Sequence, residues 1–187
     1  MGTHWGIIAG DVATSLAALG TVSAVWVALR QARDNRRELA VRDQRAQAER
    51  VSAWYSGDRR ESLDPPGANP TTEIRLLNQS FGPVYEVVVF LVFIQGAGPR
   101  RGEDWARVGS YRYCSVHTQL PPGSWTTTVP SGWAVMTGRA SAEVAFTDAG
   151  GRHWVRRSTG KLEILTRDAI DHYAIERPVN YRVPQSR

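Results

Sequence analysis

The pattern of apolar and polar positions changes character twice along the chain. From Val12 to Leu29 it reads VATSLAALGTVSAVWVAL without a charged residue. At about 1.5 Å rise per residue this run covers roughly 27 Å of a hydrocarbon core about 30 Å thick. The run predicts a transmembrane helix over 12–29, preceded by a short extracytoplasmic segment at 1–11. Trp5 and Trp26 lie roughly 31 Å apart along such a helix and suit the two membrane interfaces. Asp11 falls near the outer interface, where a carboxylate costs less than at the bilayer centre. Arg30 to Trp54 then contains neither Pro nor Gly and is rich in helix formers, so a juxtamembrane helix is expected over 30–55. Pro65, Pro66 and Pro70, with Gly57 and Gly67, mark 56–72 as a linker.

After the linker the period shortens. Runs of strand formers alternate with turn residues at intervals of roughly 8–12 residues, which predicts an all-β sandwich over 73–165. The expected strands are 73–77, 85–94, 105–116, 124–129, 140–147, 153–158 and 161–165. The apolar residues from Val87 to Ile94 are too few to cross a bilayer as a helix and suit a central strand covered on both faces. Asn78 reads as a turn residue, and Asp148-Ala149-Gly150-Gly151 as the tip of a hairpin. Residues 166–187 are left as a C-terminal tail. The fold expected is mainly β, an immunoglobulin-like β-sandwich preceded by a long N-terminal transmembrane and stem helix.

Charge settles the orientation. The net charge is +5, but Met1 to Gly10 holds no Lys or Arg, whereas Arg30, Arg33, Arg36, Arg37, Arg42, Arg45 and Arg50 follow the apolar run. By the positive-inside rule the C-terminal domain lies in the cytoplasm. Arg30, Arg33, Arg36 and Arg37, nearest the bilayer, are placed to meet anionic lipid head groups. Around the helix, Ala9, Ala13, Ala17, Gly20, Ala24 and Ala28 form a stripe of small residues along which helix backbones can approach, so homo-oligomerisation is an option.

Candidate chemistry is sparse. His4, His117, His153 and His172 are dispersed without metal-ligand spacing, so no metal or cofactor is expected. Cys114, alone in the chain, reads as a small core residue. Gly96-Ala97-Gly98-Pro99-Arg100-Arg101-Gly102 lacks the dinucleotide spacing and leads into no clear helix, so it is not read as a phosphate loop. Trp125, Trp133 and Trp154 read as core or rim. Arg139, Arg152, Arg156 and Arg157 read as solvated strand charges, and nucleic acid is not expected as a partner.

The N-terminal helix and Arg-rich stem are followed by Asn78-Gln79-Ser80-Phe81-Gly82-Pro83-Val84-Tyr85 entering a Val-rich strand, and by Phe146-Thr147-Asp148-Ala149-Gly150-Gly151-Arg152-His153-Trp154. This combination resembles uncharacterised single-pass membrane-anchored β-sandwich proteins of actinobacteria. The resemblance implies an architecture and no catalytic residue. The function expected is a non-enzymatic, membrane-tethered interaction or scaffold module with a protein partner. The alternative is an oligomerising membrane effector of a bacterial stress or phage-defence pathway.

Overall fold

The computed structural model describes residues 26, 29–34, 45–57, 71–96, 98–107, 113–130 and 139–186. It divides into two compact units, Met1–Asp43 and Gln44–Arg187. In the first, Trp26 and residues 29–34 are helical, and the Arg30 guanidinium lies over the Trp26 ring, 5.4 Å from its centroid. Arg33 is exposed on the same helical segment. Most of the expected 12–29 span lies outside the described residues, as do Trp5, the small-residue stripe, Arg36 and Arg37. Among the described residues no helix is long and apolar enough to cross a membrane.

The second unit is mainly β, with two antiparallel sheets. One runs β1-β2-β5-β9, from β1 (Val51–Tyr55), β2 (Thr71–Asn78), β5 (Gly123–Pro130) and β9 (Gln185–Ser186). The other runs β4-β3-β6-β7-β8, from β3 (Val84–Gln95), β4 (Cys114–Leu120), β6 (Arg139–Thr147), β7 (His153–Arg156) and β8 (Leu162–Leu165). Among the described residues the unit also has two short helices, α1 (Gly102–Arg107) and α2 (Ala169–His172), and a helical segment at 45–49. Residues Val87 to Phe93 of β3 are at most 1% exposed, because β4 and β6 flank the strand in its sheet and both its faces are covered. On one face Phe90 meets the Tyr173 ring at 4.6 Å. On the other, Val89 pairs with Val144, in register with Arg156, whose guanidinium reaches Val51 of the other sheet.

Four expectations need correction. Residues 51–55 are not the end of a stem helix: after a helical segment at 45–49 the chain turns into β1, where the VSAWY run pairs with β2 from Val51↔Asn78 to Tyr55↔Ile74. Branched and aromatic residues suit a pleated, half-buried edge better than a solvated helix. Thr71 and Thr72, assigned to the linker, open β2. The strand expected over 105–116 is α1 followed, from Cys114, by β4. Asp104 Oδ2 accepts from the backbone N–H groups of Arg100 and Arg101, and Trp105 Nε1 donates to Leu91 O at 2.7 Å, which fixes a helical turn over β3. Residues 166–187 are no free tail, since Ala169, Ile170 and Tyr173 are buried and β9 pairs with β5.

Turn chemistry holds the strands in place. Asn78 is the last residue of β2, and its Nδ2 donates to Gly82 O and Leu120 O while Oδ1 accepts from Ser80. At the β6–β7 hairpin Asp148 Oδ1 accepts from the N–H groups of Gly150 and Arg152, and Oδ2 from Trp154 Nε1. Gly151 there has φ 77°, a conformation that costs glycine nothing.

Candidate functional site

The 148–151 turn sets a register in which Ala145 pairs with Val155 and Val144 with Arg156. One step further along the ladder, Arg157 lies opposite Glu143, and the Arg157 N–H donates to Lys161 O. Phe90 pairs with Glu143 on the other side. Phe90, Glu143, Arg157 and Lys161 therefore form one cross-strand row, on the face of the five-stranded sheet that α2 covers.

Glu143 is fully buried. Its Oε1 accepts three hydrogen bonds, from Gly102 N at 3.0 Å, Arg157 Nη1 at 3.1 Å and Tyr173 OH at 2.9 Å. Its Oε2 is buried without a hydrogen-bond partner among the described residues. Arg157 also donates to Glu103 Oε2 at 2.8 Å and Glu163 Oε2 at 2.9 Å, so three carboxylates surround one guanidinium. Lys161 Nζ meets Glu163 Oε1 at 2.9 Å, and His172 Nε2 meets Glu103 Oε1 at 3.0 Å.

The three acids differ in electrostatics. Burial pushes the Glu143 carboxyl above its ordinary value, more than Arg157 and the Gly102 N–H lower it. Burial also raises Glu103, but hydrogen bonds from His172, its own backbone and Arg157 outweigh that and leave it low. Glu163, held by Lys161 and Arg157, falls to about 2. For Arg157 the surrounding carboxylates, Glu143 first, overcome the burial that opposes its charge, and the guanidinium is held above its ordinary value. Tyr173 rises through burial and the nearby Glu143 and Glu103 charges.

Over this row opens a cleft of about 230 Å³. Arg100 and Arg101 line it from the loop before α1, and Ser158, Thr159 and Lys161 from the β7–β8 turn, with Glu143 at its wall. Among the described residues the Arg100 and Arg101 guanidinium groups have no carboxylate partner. The 96–102 loop, set aside in the sequence as leading into no helix, does enter α1.

A second polar group lies at the far edge of the sheet. His117 is fully buried, and its Nδ1 lies 2.8 Å from Arg182 O. A carbonyl only accepts, so Nδ1 carries the proton and Nε2 accepts from Ser115 Oγ at 3.2 Å. Burial holds His117 below its ordinary value, against the raising effect of the Arg182 carbonyl. Cys114 is buried, and burial pushes its thiol up to about 11.

The sequence reading missed the centre of this site. Glu143 is absent from the residues the sequence points to, and Arg156 and Arg157, expected as solvated strand charges, are engaged within the fold. The Arg157 side chain is only 11% exposed, and Arg156 donates to the carbonyls of Ala48, Glu49 and Val51. The hairpin tip was the available signal, since counting back from it places 143 opposite 157. Trp154 is core, at 3% exposure, and Trp125 is half-buried, while Trp133 lies outside the described residues.

No family model matches the chain, and no curated protein matches it. Among solved structures, the Salmonella enterica trimeric lipoprotein SadB is similar over 77% of this chain and 86% of its own, at 13% identity and a TM-score of 0.29. A likeness at that level carries no argument about fold or function.

Proposed function

We propose that this chain is a non-enzymatic, membrane-tethered interaction module. In this reading residues 12–29 span the bilayer, Arg30, Arg33, Arg36 and Arg37 meet anionic head groups, and an immunoglobulin-like sandwich in the cytoplasm engages a protein partner through a face or loops. The observation that carries it is the uncharged run placed directly between a flank without Lys or Arg and a flank with seven arginines from Arg30 to Arg50. The state of the titratable groups supports a binding role over a chemical one. Arg157 is engaged by three carboxylates, His117 by Arg182 O and Ser115, and a thiol held near 11 is scarcely ionised at neutral pH.

Fractionation and a topology reporter test this. The protein should stay in the membrane fraction through high-salt and carbonate washes, because apolar burial is not screened by salt. A reporter active only in the cytoplasm should work when fused after Arg187 and fail before Trp5. Release into the supernatant, or the opposite reporter pattern, would sink the reading. Crosslinking of the full chain in its native membrane identifies the partner.

The Ala9, Ala13, Ala17, Gly20, Ala24 and Ala28 stripe favours a second reading, an effector whose helices assemble to perturb the bilayer. Overexpression should then be toxic, and bulky residues at Ala13 or Gly20 should abolish the toxicity. Unchanged toxicity in those variants would leave the module reading in place.

A further inference from the structure

The cleft over the Glu143–Arg157 row has the composition of a ligand site. Four cationic residues line it, Arg100 and Arg101 from the loop before α1 and Arg157 and Lys161 from the β7–β8 side, together with Ser158 and Thr159; of the four, Arg157 is already taken up by carboxylates. The arginine loop is fixed, because Asp104 Oδ2 takes the N–H groups of both Arg100 and Arg101, at 3.2 and 3.1 Å. Both acids that line the cleft are engaged, Glu163 by Arg157 and Lys161 and Glu143 by Arg157. At the wall of the cleft, Glu143 has one buried oxygen, Oε2, without a hydrogen-bond partner among the described residues. We propose that this cleft binds a tetrahedral oxyanion of the phosphate class, held by the guanidinium groups of Arg100 and Arg101 and the ammonium of Lys161. Two guanidinium forks with an ammonium and hydroxyl donors match a dianion with several acceptor oxygens.

Glu143 makes the site sensitive to protons. Glu143 meets Phe90 from β3, Gly102 from α1, Tyr173 just after α2 and Arg157 just after β7. The charged and titratable groups further away are Glu103 and Glu163, reached through Arg157, and His172 and Lys161, which meet those two acids. Three donors already occupy Oε1, so a proton arriving on the carboxyl takes Oε2. It removes a negative charge beside the bound anion. Anion binding and proton uptake at Glu143 are therefore linked, and each strengthens the other. This inference stands apart from the membrane tether, because an anion in free solution tests it directly.

The test uses the full chain in nanodiscs of phosphatidylcholine, titrated with inorganic sulfate, a tetrahedral dianion that does not itself titrate near neutral pH. Binding should be saturable and should weaken about tenfold or more in R100Q/R101Q, whose exposed positions leave folding intact. It should also weaken as pH rises. Glu143→Gln, isosteric with the neutral acid, should hold the tighter affinity at every pH. Inorganic phosphate and discs of equimolar phosphatidylcholine and phosphatidic acid are then run as competitors. Competition by free phosphate alone assigns a soluble ligand, and competition by the phosphatidic acid discs assigns a lipid head group. No saturable sulfate binding, or equal binding in R100Q/R101Q, overturns the site. A pH dependence unchanged in Glu143→Gln overturns the proton link.

Discussion

Gly102 presents its backbone N–H to Glu143 Oε1 at 3.0 Å in a space that admits no side chain. A Cβ there would stand 2.8 Å from Glu143 Oε1, 2.8 Å from Tyr173 Cε1 and 2.7 Å from Phe90 Cδ2. These neighbours are all buried, so none can swing into solvent to make room. Gly102→Ala should cost about 1–3 kcal/mol by overpacking, read as a lower urea midpoint with unchanged slope. A midpoint equal to the wild type would show that α1 can shift away from the sheet without loss.

Arg157 holds three carboxylates apart, and its removal should be costly. Arg157→Gln leaves Glu143 buried beside Glu103 with the cation gone, a loss of about 3–5 kcal/mol for a broken buried pair. Glu143→Gln in that background removes the stranded charge and should restore part of the stability. A double-mutant cycle in urea checks this. If the two losses simply add, the pair is not coupled and the row is only a packing arrangement.

These two sites show how far the sequence could be read. The β3 core was legible because an eight-residue apolar run, Val87 to Ile94, can satisfy its surroundings only from the middle of a sheet. The 148–151 hairpin was legible because Asp and Gly have local turn chemistry. The pairing of Glu143 with Arg157 was present in that hairpin's register, but as residue types both suggest solvent, and only the cover supplied by α1 and α2 makes them interior. That cover was hidden: Gly102–Arg107 is short, and Ala169–His172 lies in a polar stretch without visible period. β1 was misread because its arginine-rich approach has strong helix propensity and five residues of VSAWY are too few to overturn it by pattern alone.

His117 should give the domain a pH dependence of definite sign. Its folded form is held below the ordinary value by burial, so the unfolded chain takes up the proton first. Its contribution to stability is complete above about pH 6.5 and is lost as pH falls through that value toward the lower folded one. One proton limits the slope to at most about 1.4 kcal/mol per pH unit. His117→Asn can still donate to Arg182 O but does not titrate, and should flatten this window. Glu163, with its folded value near 2, contributes stability that is lost only at lower pH, so the two windows separate. Urea melts from pH 8 to 3, about half a unit apart, would distinguish them. An identical profile in the variant would rule His117 out as the source.

The last prediction concerns where the folding unit begins. The Pro- and Gly-rich stretch at 56–72 suggests a chain starting at Thr71, but the fold argues for Gln44. Ala48 and Val51 are fully buried, and burying a Val side chain alone contributes about 1.5–3 kcal/mol. β1 supplies five paired positions along β2, and the Gln79 N–H donates to Arg50 O. Arg156, whose guanidinium binds the carbonyls of Ala48, Glu49 and Val51, would lose three acceptors at once. Against a total stability of about 5–15 kcal/mol these losses are large. The Gln44–Arg187 chain should show β-rich circular dichroism and a cooperative thermal transition, whereas Thr71–Arg187 should aggregate or melt without cooperativity. Arg156→Ala in the longer chain should fall between them, about 1–3 kcal/mol less stable than its parent. If Thr71–Arg187 melts as cooperatively and as high as Gln44–Arg187, residues 44–55 are an accessory edge, and the boundary belongs in the linker after all.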